Sequence, residues 1–196
     1  MARAGLTAER LVRAAAELAD EVGFENVTVS AVARRFGVKD ASLYSHVKNA
    51  QELRAGVAAL ALTELADRAA EALAGRSGKE ALRAYADAYR TYAKQHPGRY
   101  AASWLMLEAE TAVVGVNRRH SELTRALLRG YALREPDETD AIRMLHATLH
   151  GFVRVEAAGG FEHHSRSVAK SWARAVDALD VALRNWPDEE PTKKTR

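Results

Sequence analysis

The segment Thr28-Val-Ser-Ala-Val-Ala-Arg-Arg-Phe-Gly37-Val38-Lys-Asp-Ala-Ser-Leu-Tyr44-Ser-His46-Val47-Lys48-Asn49 holds two short helical runs around one turn signal. Thr28 is an N-cap type, whose side-chain oxygen takes one of the orphan backbone N–H groups in a first helical turn. Gly37 ends that helix after Phe36, because glycine enters the left-handed backbone of a sharp turn without steric cost. A second short helix is expected over about Asp40 to His46. Val32, Ala33 and Phe36 then face inward from the first helix, Val38 plugs the turn, and Leu43 with Val47 anchors the second. Ala33 must be small because the helices close on each other there. Lys39, Ala41, Ser42, Tyr44, Ser45 and His46 are left pointing outward, a mixture that suits phosphate and base-edge contact. This is the design of a helix-turn-helix, whose second helix enters a DNA major groove about 12 Å wide while the first braces it across the backbone.

Working outward, apolar residues recur at helical spacing and strand-like alternation does not, which predicts an all-α chain of about nine helices. A first helix is expected from Thr7 to Val22, with Leu11, Ala15, Leu18 and Val22 on one stripe, Gly23 as its stop, and Phe24 and Val27 packed beneath. Leu53, Val57, Leu60, Leu65 and Leu73 describe one long helix over about Ala50 to Ala74. The next carries Leu82, Tyr85, Tyr89 and Tyr92 and breaks at His96-Pro97-Gly98, since proline disfavours helix in the residue before it. Further helices are expected at about Arg99 to Glu110, Val116 to Leu133, Pro136 to Ala158 and Ser165 to Asn185. The tail from Pro187 to Arg196 has two prolines, mixed charge and no apolar residue, and reads as disordered.

Composition sets the outer bounds. The 196 residues are 47% hydrophobic and 28% charged, with only 12 Gly and 4 Pro, as in a soluble and largely helical protein. There is no cysteine, so disulfides, thiolate metal sites and cysteine nucleophiles are excluded. The charged N-terminus has no apolar run, and no stretch reaches the roughly 18 apolar residues of a spanning helix. A cytoplasmic, nucleoid-associated protein is expected, with no membrane partner. The net charge of +3 is modest, but Thr28 to Lys48 alone carries Arg34, Arg35, Lys39 and Lys48 against Asp40, a local +3.

The run Gly23-Phe-x-x-Val-Thr28, then Val32-Ala33 and Phe36-Gly37-Val38, then Leu43-Tyr44-x-His46-Val47-Lys48-Asn49 closely resembles the signature of the TetR family. The resemblance implies a DNA-binding domain over residues 6–66, with the helix-turn-helix at 28–47, and a helical ligand-binding and dimerisation domain over residues 67–186. It assigns Thr28, Tyr44 and His46 to phosphates and Lys39, Ala41 and Ser42 to base reading. One position departs: the family usually has a lysine where this chain has Ala50, so either Lys48 takes over its grip on the DNA backbone or that grip is weaker. By the same resemblance, the chain is a homodimer on a near-palindromic double-stranded operator, most simply a repressor released by a small hydrophobic effector. A DNA-binding regulator without ligand control, activator or architectural, shares the N-terminal motif.

Two runs, Tyr89-Arg-x-Tyr92-Ala-x-x-His96-Pro97-Gly98-x-Tyr100 and His146-x-x-Leu149-His150-Gly151-Phe152, resemble the C-terminal class named for a Trp-His-Gly motif, with Leu149 where that tryptophan would stand. By residue type, Tyr85, Tyr89, Trp104, His146 and His150 are candidates for an effector pocket, which is mostly apolar with a few orienting polar groups. Tyr92, Met106 and Met144 belong to the same mixture, and core packing alone also produces such spacing. His146 and His150 stand four apart without a third ligand at helical spacing, so no metal and no cofactor is expected. Glu108 with Glu110, Asp188 to Glu190, and Ser121 beside His120 form no catalytic constellation, and there is no Gly-rich phosphate loop. The sequence therefore argues against an enzyme.

Overall fold

Thr7 and Thr28 start the first two helices by the same chemistry. The Thr7 hydroxyl oxygen accepts from the Arg10 amide at 3.2 Å and opens α1 (Ala8–Val22), while that of Thr28 accepts from Ala31 at 3.1 Å and opens α2 (Val29–Phe36). Gly37 closes α2 in the left-handed region, at φ 64° and ψ 32°, with the Val38 amide returning to the Ala33 carbonyl at 3.1 Å. The computed structural model describes residues 6–104 and 111–187. Six further helices follow: α3 (Ala50–Leu73), α4 (Gly78–Gln95), α5 (Pro97–Ser103), α6 (Thr111–Leu128), α7 (Asp137–Ala157) and α8 (Val168–Arg184). Among the described residues there is no strand, and no helix is long and apolar enough to cross a membrane.

Among the described residues eight α-helices stand where about nine were expected, because the segment after Gly37 is not α-helical. It is a 3-10 turn over Asp40–Ser42, with Ser42 N bonded to Lys39 O and Leu43 N to Asp40 O, both at 2.9 Å. Local side-chain bonds account for this. The Ser30 hydroxyl on α2 donates to the Asp40 carboxylate, and the Ser45 hydroxyl donates to the Ser42 carbonyl at 2.9 Å, competing with the helical ladder. Other differences are at helix ends. Pro97 is the first residue of α5, where its missing N–H costs nothing, so that helix begins two residues before the expected Arg99. α6 begins at Thr111 and not at Val116. Val22, expected on the buried stripe of α1, is 46% exposed; the buried face runs through Leu11, Ala15 and Ala19. The second half of the helix expected over Arg99 to Glu110, Met106 within it, and the tail beyond Pro187 lie outside the described residues.

Two apolar cores meet along α3. The first gathers Leu11, Phe24, Val32, Ala33, Leu43, Val47, Leu53 and Val57 from the N-terminal elements. The second is built around Leu65, Leu82, Tyr85, Tyr89, Leu145, Leu149, Trp172 and Leu183. α5 joins the two, since Ala102 lies in the first core and Tyr100 in the second. Its backbone rests directly on the end of α1. A Cβ on Gly98 would stand 1.9 Å from the Ala19 carbonyl oxygen, a position only glycine can occupy. Beside it, the Asp20 carboxylate accepts from the Arg99 amide at 2.9 Å and pairs with His96 Nδ1 at 3.2 Å and Arg99 Nε at 3.0 Å. Arg99 also reaches Glu64 of α3 at 3.2 Å, and the Tyr92 hydroxyl donates to the same carboxylate at 2.9 Å. Gly98→Ala is expected to push α5 off α1 at a cost of about 1–3 kcal/mol, lowering the melting temperature by several degrees in a thermal scan. An unchanged midpoint contradicts the contact.

Candidate nucleic-acid interface and buried polar cluster

Leu43 and Val47 are 0% and 4% exposed, and they pin the segment after Gly37 to the first core. What they leave outside is the expected contact set. Thr28, Lys39, Ala41, Ser42, Tyr44 and Lys48 are exposed, Tyr44 by 55%, and His46 is partly buried. The Thr28 oxygen already accepts from Ala31, which leaves its hydroxyl proton for an anion outside. Lys48 is held at the start of α3 by a reciprocal cap: the Asn49 side chain accepts from the Glu52 amide at 2.8 Å, and the Glu52 carboxylate accepts from the Lys48 amide. Ala50, the position without the family lysine, is the first residue of that helix.

The charge of this surface is smaller than the sequence count implied. Arg35 turns away to Glu21 and Glu17 of α1, at 2.8 and 2.9 Å, and those carboxylates hold its guanidinium charged. Arg34, Lys39 and Lys48 remain as the cations of the motif without an ion pair among the described residues. The sequence window missed this because both acids lie upstream of it, on a different helix.

In the second core, Tyr85 and Tyr89 of α4, Thr124 and His120 of α6, and His146 of α7 form one polar cluster. The Tyr85 hydroxyl lies 3.0 Å from that of Tyr89, 2.8 Å from Thr124 Oγ1 and 3.3 Å from His146 Nε2. His120 Nδ1 lies 3.5 Å from the Tyr89 hydroxyl. An aromatic group adjoins it. Trp104 sits 3.9 Å from the His150 ring and meets His146 edge-on at 6.3 Å, and the Tyr100 hydroxyl is 3.2 Å from His150 Nδ1. The structure thus connects all five pocket candidates, Tyr85, Tyr89, Trp104, His146 and His150. Sequence reasoning left out Thr124, and read His120 only against catalysis; their spacing of four on one helix was the available signal. Cavities of about 440 and 420 Å³ open elsewhere, lined by Leu73, Ala81 and Leu127 and by Ala93, Val153 and Phe161 respectively. Burial pushes His120 and His146 down to about 4, His120 further disfavoured by its histidine neighbour, so both are neutral at physiological pH. Among the described residues no three metal-ligating side chains gather.

Residues 11–57 match the family model described as bacterial regulatory proteins, tetR family, and residues 82–179 match one described as a tetracyclin repressor-like C-terminal domain. The uncharacterized HTH-type transcriptional regulator YobS of Bacillus subtilis (strain 168) is 33% identical over 160 residues, covering 82% of this chain and 84% of that protein. A protein with unknown function from Rhodococcus sp. RHA1 superposes with a TM-score of 0.78 at 20% identity, over 93% of this chain and 98% of that one. A TetR variant from Acinetobacter baumannii AYE, solved in complex with minocycline, superposes with a TM-score of 0.71 at 21% identity, over 94% of this chain and 100% of that one. At these identities the two structures speak to the fold alone.

The neutral histidines give stability a pH dependence of definite sign. In the unfolded chain they take up protons near their ordinary value of about 6.5, whereas in the folded protein they resist protonation down to about 4. Their contribution is therefore complete above about pH 6.5 and is lost as the pH falls toward 4. The melting temperature should drop between neutral pH and about pH 5, and drop less in the His120→Gln, His146→Gln double variant. Parallel curves for the two proteins contradict this assignment.

Proposed function

The chain belongs to the TetR family of bacterial regulatory proteins, and from that premise we propose that it is a homodimeric repressor, released from a near-palindromic operator when a small hydrophobic effector binds its helical body. As a family member it is a DNA-binding transcriptional regulator and not an enzyme. Residues 6–66 serve as the DNA-binding domain, residues 67–186 as the effector and dimer domain, and the protein acts in the cytoplasm on the nucleoid. The observation that carries the reading is the exposed set on the helix-turn-helix, fixed from below by Leu43 and Val47. Thr28, Tyr44 and His46 grip phosphates, while Lys39, Ala41 and Ser42 meet base edges. Lys48, capped in place at the start of α3 and free of an ion pair among the described residues, takes over the grip that Ala50 cannot provide.

Dimerisation is supported by the outer faces of α7 and α8. Val155 is 42% and Val181 59% exposed, and a Cβ on Gly151 would meet nothing within 4 Å, which leaves room for a partner helix. A two-fold pair also places two recognition segments on successive major grooves, about 34 Å apart. Ligand control is supported by the polar cluster; the Acinetobacter TetR variant, a protein of the same fold, was itself solved in complex with minocycline. The path from effector to DNA runs through α5, which is followed directly by Trp104 beside the cluster and carries Gly98 and Arg99 on α1. An effector that favours one placement of Trp104 shifts the population of recognition-segment spacings. One observation favours a regulator without ligand control: the polar groups of the cluster bond to one another.

Two experiments test this function. In a shift assay on the protein's own upstream DNA, Tyr44→Ala with Lys48→Ala should weaken binding across sequences and flatten the salt dependence by about one unit of log–log slope. An unchanged slope removes Lys48 from the phosphates. Val181→Glu should convert the dimer to a monomer in light scattering and abolish operator binding, while a wild-type monomer at micromolar concentration overturns the two-fold arrangement.

A further inference from the structure

Counting protons through the buried cluster gives it a direction once the Thr124 hydroxyl is assigned. A carbonyl only accepts, and with the Thr124 hydroxyl, 3.1 Å from the His120 carbonyl, assigned as its donor, that one proton is used. Tyr85 then donates to Thr124 at 2.8 Å, and Tyr89 to Tyr85 at 3.0 Å. With those hydroxyl protons used, His120 must donate from Nδ1 toward Tyr89 at 3.5 Å. His146 likewise donates from Nε2, which lies 3.3 Å from both the Tyr85 and Thr124 oxygens. A neutral imidazole has one N–H and one bare nitrogen. The relay therefore leaves His120 Nε2 and His146 Nδ1 as lone-pair acceptors, neither with a hydrogen-bond partner among the described residues. The rings stand 5.7 Å apart.

Next to the His146 ring is a part-exposed aromatic surface. Trp104 is 38% exposed, one of the few large apolar side chains the fold leaves uncovered, and it meets the His146 ring edge-on. No charged side chain hydrogen-bonds to any of the five polar groups among the described residues. Both histidines stay uncharged, held down to about 4 by burial, so among the described residues the five groups themselves offer an anion no cation and an ammonium no carboxylate. The nearby charge is that of Arg154, which acts on His150 and Tyr100 beside Trp104.

We infer that the cluster selects an uncharged aromatic hydroxyl compound, a phenol-like effector that lies against Trp104 and donates its hydroxyl proton to His120 Nε2 or His146 Nδ1. This inference rests on the reading of the cluster as the effector site. It adds the class of ligand: aromatic, neutral and a hydrogen-bond donor.

The test is calorimetry on the full chain at neutral pH with four matched probes: naphthol, naphthalene, naphthoate and naphthylmethylammonium. Naphthol is expected to bind about fivefold or more tighter than naphthalene, the gain of one hydrogen bond to an open acceptor, with both ions weaker still. His120→Phe or His146→Phe should close the gap between naphthol and naphthalene. Trp104→Ala, a change at a part-exposed site, should weaken both alike and leaves the test standing if a histidine variant fails to fold. The inference is overturned if naphthoate or the ammonium binds best, if naphthol gains nothing over naphthalene, or if none of the four binds. The same naphthol is then added to the operator complex in a shift assay. Binding with the histidine signature but without release of DNA upholds the ligand class and rejects ligand control.

Discussion

The contact between Gly98 and the Ala19 carbonyl is the constraint on which the arrangement of the molecule turns. With no side chain on residue 98, the first turn of α5 lies flat on the end of α1, and the Asp20 carboxylate takes the Arg99 amide next to it. Arg99 extends the joint to Glu64 and so ties α1, α3 and α5 together, with its side chain only 16% exposed. The DNA-binding end is thereby fixed to the helical body at two places, along α3 and at the head of α5. Loss of either partner would strand a partly buried charge, so the joint acts as a unit and not as a set of separable surface pairs.

The two ends of the molecule solve different physical problems. At the N-terminal end, short capped helices over a small apolar core present a few polar groups to solvent at fixed spacing, so that the cost of ordering them falls on folding and not on DNA binding. In the body, aromatic and hydroxyl side chains are buried, and each must find a partner; the Tyr89–Tyr85–Thr124 chain meets that demand internally. A chain of one-proton groups has a direction, and its ends are where an outside molecule can be recognised. Helix α5 touches both regions, which is why a small change at Trp104 need not stay local.

Much of this was legible in the sequence where the signals were local. Thr7, Thr28, Gly23 and Gly37 act on their immediate neighbours, and the limits of α1 and α2 follow from them within a residue. The segment after Gly37 was misread as an α-helix because its outcome depends on Ser30, ten residues back, holding Asp40. Arg35 was counted in the local positive charge of the motif, which the fold offsets by bringing Glu17 and Glu21 to it. The Asp20–Arg99–Glu64 joint joins residues far apart in sequence with no motif between them, and Thr124 was overlooked although it stands four residues after His120 on one helix. The pocket candidates were chosen by residue type, and their connection through His120 and Thr124 emerged only when three helices were packed together.

The central claim is that two copies of the helix-turn-helix at residues 28–47 read DNA from one face. Hydroxyl-radical footprinting on an operator selected from random sequence tests it most directly. Two protected backbone patches, related by a dyad and centred about 34 Å apart along one face of the duplex, are the predicted result. A single patch, or no protection at concentrations that saturate a shift assay, would contradict it.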